Sequence, residues 1–180
     1  MPIGASKNRA GQVTEEKLVT AARRLLMTRG WGNFNQIDLA YEADVSRPTT
    51  SRYVSSLRTL TLYAFAEECS AMKEACEQAE TPDEFIGALT THSWRKTSSI
   101  AIALHPMTQD PWRSETPDAS ARMLRFEDLA RQLGKLIERA HTGGEVSEVV
   151  ANSLARAQLY AVLSAIAAED RDAIAVINFM

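Results

Sequence analysis

Glycine is scarce in this 180-residue chain, with eight in all, and none sits in a loop of the kind that cradles phosphate. Gly143-Gly144 reads instead as a helix stop. The three histidines (His92, His105, His141) are isolated and lack metal-ligand spacing. There is no GxSxG elbow, and nothing marks out a nucleophile with its base. No catalytic residue, metal or cofactor is therefore expected, and the chain does not read as an enzyme. No run of eighteen apolar residues exists, so no membrane span or membrane partner is expected. Alternating apolar and polar runs bounded by turn residues are also lacking, which leaves no strand pattern and predicts an all-α fold. The two cysteines, Cys69 and Cys76, lie seven apart on a predicted helix, about 10 Å along its axis, too far for a disulfide. The opening MPIGASKNRAGQ has no apolar stretch of the signal-peptide kind and reads as a basic, mobile arm. A reducing cytoplasm is the expected compartment.

What is present is asymmetric. Residues 1–60 hold nine Lys/Arg and five Asp/Glu, a net of +4. The remaining residues hold eleven and eighteen, a net of −7. A basic segment joined to an acidic one is the pattern expected when only one end meets phosphate.

The basic segment contains FNQIDLAYEADVSRPTTSRYVSSLRTL, residues 34–60. Asn35 is placed to cap a short helix, with Asp38 as its capping-box partner. Ile37, Ala40 and Tyr41 share one predicted apolar face. Asp44 falls where the chain must reverse through a left-handed residue, and Val45 follows as an apolar plug. Ser46 caps a second short helix in which Pro48 is tolerated at the first turn. That helix offers Arg47, Thr49, Thr50, Ser51, Arg52 and Tyr53, a polar and donor-rich surface. A helix-turn-helix places such a helix in the DNA major groove.

These residues resemble the tetracycline-repressor (TetR) family of transcriptional regulators over about Thr14 to Leu60. A first helix from Thr14 carries Ala21-Ala22 and Leu25-Leu26 and closes at Gly30, with Trp31 after it. Leu39-Ala40, Glu42-Ala43 and Val45-Ser46 match the turn signature, and Leu60 matches a leucine of the fourth helix. Asp44 stands in place of the usual turn glycine, Ser51 of a tyrosine, Val54 of a phenylalanine and Leu57 of a phosphate-contacting lysine. Gln36 occupies a normally apolar position. The resemblance implies a three-helix helix-turn-helix DNA-binding domain with its arm over 1–56, and a helical ligand-binding and dimerisation domain over 57–180. It implies a homodimer on double-stranded operator DNA, usually a repressor, released by a small hydrophobic or aromatic effector. The expected DNA-binding residues are Asn35, Gln36, Arg47, Thr49, Thr50, Ser51, Arg52 and Tyr53, with the Lys7/Arg9 arm near the backbone. The replacements at Ser51 and Leu57 keep a second reading open: a helical ligand sensor or interaction protein of this fold without specific DNA binding.

Beyond residue 56 the pattern predicts a continuous helix over Leu57–Ala79 that acts as a lever. A further helix is predicted from the Thr81-Pro82-Asp83-Glu84 start to about Lys96, followed by a short apolar segment, Ser99–Leu104. A proline-rich irregular stretch over 105–117 leads to a helix over Asp118–Ala140 and another after the Ser147 cap. A last short helix is predicted over Asp170–Met180. Met72, Phe85, His92, Trp94, Met107, Trp112, Met123 and Phe126 are the candidates to line an effector pocket. Ala157–Ala168 is almost uncharged, which marks Leu159, Tyr160, Leu163 and Ile166 as candidates for a dimer interface.

Overall fold

The structure, a computed structural model, describes residues 8–90, 94–107, 109–110, 112, 124–141 and 146–169, with the backbone alone at 94 and 95. The described residues form nine helices and no strand, so the fold is all-α. In chain order these are α1 (Arg9–Arg29), α2 (Gln36–Glu42), α3 (Arg47–Tyr53), α4 (Leu57–Ala64), α5 (Ala66–Gln78), α6 (Pro82–Thr90), α7 (Trp94–Leu104), α8 (Phe126–Ala140) and α9 (Glu148–Ala167). They fall into two compact units. The first lies within Met1–Ala66 and Met107–Met123, the second within Glu67–Pro106 and Leu124–Met180. The division expected between 56 and 57 therefore moves to the far end of α4, and a later segment of chain joins the first unit.

In the first unit α1 packs on α2 and α4, and α2 on α3. Leu18, Ala22, Leu25 and Leu26 recur at helical spacing along α1 and meet a core that includes Leu39, Val54, Leu57 and Leu60. Helix α1 starts before Thr14, because Asn8 caps it, accepting from the Gly11 amide at 2.8 Å. Arg9 is thus helical and not part of a free arm, while Lys7 lies outside the described residues. Gly30 ends the helix at φ 81, its amide donating to Leu26 O at 3.0 Å.

The expected lever is not continuous. It breaks at Phe65 (φ −119, ψ 35), which is fully buried. Arg23 stabilises the break: its Nη1 donates to Ala64 O at 3.1 Å and its guanidinium lies over the Phe65 ring at 5.3 Å.

In the second unit α9 packs along α7 and α8, and α6 packs on α7 and α8. Met72, Phe85, Ile86, Leu89, Ile100, Leu133, Leu159 and Val162 lie in its core. Thr81 starts α6, accepting from the Glu84 amide at 3.2 Å, and Ser147 starts α9, accepting from Val150 at 3.4 Å. Helix α6 is described to Thr90, residues 91–93 of the helix expected to run to Lys96 lie outside the described residues, and Lys96 is in α7. The apolar Ser99–Leu104 segment belongs to α7. Helix α8 starts at Phe126 after an extended Arg125, and 118–123, like 142–144 and 170–180, lie outside the described residues. Cys69 and Cys76 are buried, and burial, followed by the charge of Glu68 or Glu77, pushes each thiol up to about 12. Among the described helices α9 alone is long and apolar enough to cross a membrane by length and composition, and one of its faces is buried against α7 and α8.

Candidate nucleic-acid interface

The α2–α3 pair is set by its caps. Asn35 Oδ1 accepts from the Ile37 and Asp38 amides at 2.8 and 3.0 Å, and Asp38 Oδ2 accepts from the Asn35 amide at 2.9 Å, which completes a capping box. That amide and then the Arg29 guanidinium, 3.2 Å away, hold the Asp38 carboxyl below its ordinary range. The chain reverses at Asp44, which has φ 51, the left-handed region that a short polar side chain tolerates. Ser46 then caps α3, its Oγ accepting from the Thr49 amide at 3.3 Å, with Pro48 in the first turn where no amide is needed.

The face presented by α3 is narrower than the sequence suggested. Arg47, Pro48, Ser51 and Arg52 are exposed, and Thr49 is half-buried. Thr50 and Tyr53 turn inward and are buried, so neither stands on the outer face. Thr50 Oγ1 donates to Ser46 O at 3.2 Å, and Tyr53 carries the Arg52 guanidinium over its ring at 5.3 Å. The physical reason is helical period: Thr50 and Tyr53, three apart, form the stripe by which a seven-residue helix attaches to its unit. On α2 the predicted apolar face also changes. Leu39 and Ala40 are buried, whereas Ile37 and Tyr41 are exposed, Tyr41 at 88 %.

Gln36 and Ser51 are both used internally. Ser51 Oγ donates to Gln36 Oε1 at 3.0 Å, and Gln36 Nε2 donates to Val54 O at 3.2 Å. Gln36 thereby ties the first turn of α2 to the end of α3, which explains a polar residue at a half-buried position. Leu57 is fully buried in the core.

Charge follows the same layout. Lys17, Arg24 and Arg29 of α1 meet Asp44, Glu42 and Asp38 at 3.8, 2.6 and 3.2 Å. The acids of α2 and its turn are thus compensated from behind, while α3, RPTTSRY, carries two arginines and no acid.

The residues expected to line one effector pocket are described in part. Met72, Phe85 and Phe126 are buried within the second unit. Met107 is 76 % exposed. Trp112 belongs to the first unit, edge-on to Phe34 with centroids 5.4 Å apart. His92, Met123 and the Trp94 side chain lie outside the described residues. Phe126 leans on Tyr160 at 4.7 Å, and His105 meets the same ring at 5.5 Å and Ser164 Oγ at 3.0 Å. A polar feature was missed from sequence: Lys96 Nζ pairs with Glu68 Oε1 at 2.7 Å, and Glu68, Thr97, Ser98 and Ser99 are all buried. Among the described residues no group of three or more His, Cys, Asp or Glu could hold a metal ion.

The candidate dimer residues are corrected as well. Leu159, Leu163 and Ile166 are buried within their own unit, and Tyr160 is half-buried. The exposed side of α9 instead includes Val149, Val150, Leu154, Ala157, Ala161 and Ser164. No family model matches the chain, and no curated protein or solved structure matches it.

Proposed function

We propose that this chain is a DNA-binding transcriptional regulator of the helix-turn-helix kind, a cytoplasmic homodimer whose second unit senses a small hydrophobic or aromatic effector and whose usual action is repression. The observation that carries the reading is α3: a capped helix with two arginines and no acid, attached by Thr50 and Tyr53 and exposing Arg47, Pro48, Ser51 and Arg52. An anionic partner with a groove wide enough for a helix fits that surface. Arg47, at the start of α3, is assigned to base edges. Arg52, a turn later and braced on Tyr53, is assigned to phosphate. The resemblance to the TetR family and the basic charge of residues 1–60 support the same assignment. The sensing role draws on the buried aromatic and sulfur side chains of the second unit and on the Lys96–Glu68 pair of the same unit. A helical sensor or interaction protein without specific DNA binding is the second reading. It draws on the burial of Thr50, Tyr53 and Leu57, which removes three positions from the DNA face.

The test is selection from a pool of random duplexes, followed by binding of the enriched site at several salt concentrations. The wild type is expected to enrich one site. Arg47→Ala should lose about 1–3 kcal/mol of discrimination at one base pair. Arg52→Ala should weaken all sequences alike and lower the salt dependence by about one counterion. A wild-type protein that enriches nothing at low salt would leave the second reading in place.

A further inference from the structure

Between α7 and α8 the chain leaves the second unit after Pro106 and contributes residues to the first before returning at Leu124. Two described residues of that excursion make specific contacts. Asp110 Oδ2 accepts from Ser56 Oγ at 2.7 Å and from the Arg58 amide at 3.0 Å, and Oδ1 accepts from the Leu57 amide at 3.1 Å. Ser56 Oγ in turn accepts from the Thr59 amide at 3.2 Å. The three amides that open α4 are therefore all satisfied, two of them by a carboxylate more than fifty residues away in sequence. A helix start leaves these amides without intrahelical partners, and a carboxylate there gains from both hydrogen bonds and the helix dipole. The second residue is Trp112, whose amide donates to Asp110 Oδ1 at 2.9 Å and whose ring meets Phe34 edge-on. Phe34 immediately precedes Asn35, the cap of α2.

Asp110 and Trp112, joined to each other, thus hold both ends of the two-helix reader. Trp112 packs where the chain enters α2, and Asp110 binds the start of α4, three residues beyond the end of α3. Only Val54, Ser55 and Ser56 separate the end of α3 from the start of α4. Val54 is buried, its amide donates to Thr50 O at 2.8 Å, and its carbonyl accepts from Gln36. A shift of α4's first turn reaches α3 through three residues, of which Val54 and Ser56 are held by hydrogen bonds.

We infer that Asp110 is a positioning residue for the DNA-reading helix, and that through it the seating of α3 is made conditional on a residue of the same unit more than fifty positions later in the chain. This rests on the DNA-binding reading above and names how that site is governed. Losing the Asp110 carboxylate frees the Leu57 and Arg58 amides and loosens the Val54–Ser56 link, while α8 and α9 keep their packing. Coupling of this kind is reciprocal: a duplex that holds α3 must also tighten the Asp110 cap.

The experiment uses the full chain and the duplex that the wild type enriches. Amide exchange is followed at Leu57, Arg58 and Trp112, and duplex affinity is measured well below the melting temperature. Asp110→Asn, which keeps size but loses charge and an acceptor, is expected to bind the duplex roughly tenfold more weakly, the scale of a lost charged cap. Its base preference should flatten, with helicity and exchange in α8 and α9 unchanged. A merely structural role would lower the melting temperature and leave the affinity and base preference of the folded protein alone. In the wild type, adding duplex should slow exchange at Leu57 and Arg58, a readout that needs no variant to fold. If the wild type enriches a site and Asp110→Asn binds it with the same affinity and preference, this inference fails and the DNA-binding reading stands. Unchanged wild-type protection at Leu57 and Arg58 on binding also overturns it. If the wild type enriches no duplex, the reading fails and this inference fails with it.

Discussion

Asp38 shows how much one side chain can hold at the start of α2. It closes the capping box with Asn35 and meets Arg29 at 3.2 Å, and its pKa lies below the ordinary value. The sign follows from which form the fold prefers. A depressed folded pKa means that the ionised form binds better in the native state. Its contribution is complete above the unfolded value of about 3.9 and is lost as pH falls through that value to the lower folded one. Asp38→Asn is therefore expected to lower the melting temperature at neutral pH. The gap between variant and wild type should close as the pH is taken below the carboxylate range. A gap of the same size at pH 7 and in acid would show that the carboxylate charge is not what holds this turn. The box was legible from the sequence because capping is local: Asn35 and Asp38 lie three apart, and their bonds need nothing from elsewhere. So was the reversal at Asp44. Thr50 and Tyr53 were misread because a seven-residue helix has too few positions to display a period, so polarity looked like exposure. Gln36 looked misplaced because its partner, the Val54 carbonyl, is eighteen residues away.

At the scale of elements, helices with their own caps were found and helices bounded by tertiary contacts were not. Ser147, Thr81 and Gly30 mark their ends in the sequence and do so in the structure. The break at Phe65 carries no such mark, because Arg23 of another helix takes the released carbonyl. The α8–α9 crossing gives a second case. Gly134 sits mid-helix, where glycine costs about 1 kcal/mol against alanine. Its presence is explained only by α9: a Cβ there would come 2.4 Å from Asn152 Oδ1 and 3.3 Å from Asn152 Cα. The side-chain oxygen can rotate away, but the backbone contact can be relieved only by separating the helices. Gly134→Ala is thus expected to destabilise the protein by on the order of 1–2 kcal/mol, despite its better helix propensity, because overpacking outweighs the propensity gain. Denaturant unfolding measures this. A stabilised Gly134→Ala would mean that the helices have room to part. Asn152→Ala in the same background should recover part of the loss, since it removes the nearer of the two obstacles.

For the whole molecule, composition gave the all-α class and the opposed charges of the two ends, but not where the chain divides. Asp110 and Trp112 belong to the first unit, Asp110 through three hydrogen bonds to the start of α4 and Trp112 through its ring on Phe34, and a proline-rich stretch has no periodicity to announce them. The assembly reading changes accordingly. The outer face of α8 is charged along its length, through Glu127, Asp128, Arg131, Lys135, Glu138 and Arg139. The outer face of α9 has Val150, Leu154, Ala157, Ala161 and Ser164, an uncharged stripe that runs about 21 Å at 1.5 Å per residue. Arg156 sits at its margin and donates to Glu127 Oε1 at 3.1 Å, so the nearest charge is turned toward α8. Small residues along such a stripe let a second helix approach closely, and a homodimer built on it, with neighbouring surface, should bury on the order of 2,000 Å². Sedimentation is expected to give a dimer at micromolar concentration. Ala161→Arg should give a folded monomer with unchanged helicity, because Ala161 is exposed and contributes nothing to the core. Leu163→Arg should unfold the second unit instead, because Leu163 is buried within it. The contrast between the two variants separates an interface from a core, which the run of apolar letters from 157 to 168 could not do. A wild-type monomer at tens of micromolar would remove the dimer from the proposal. A two-half-site operator would go with it, since half-site spacing follows from the symmetry of the protein.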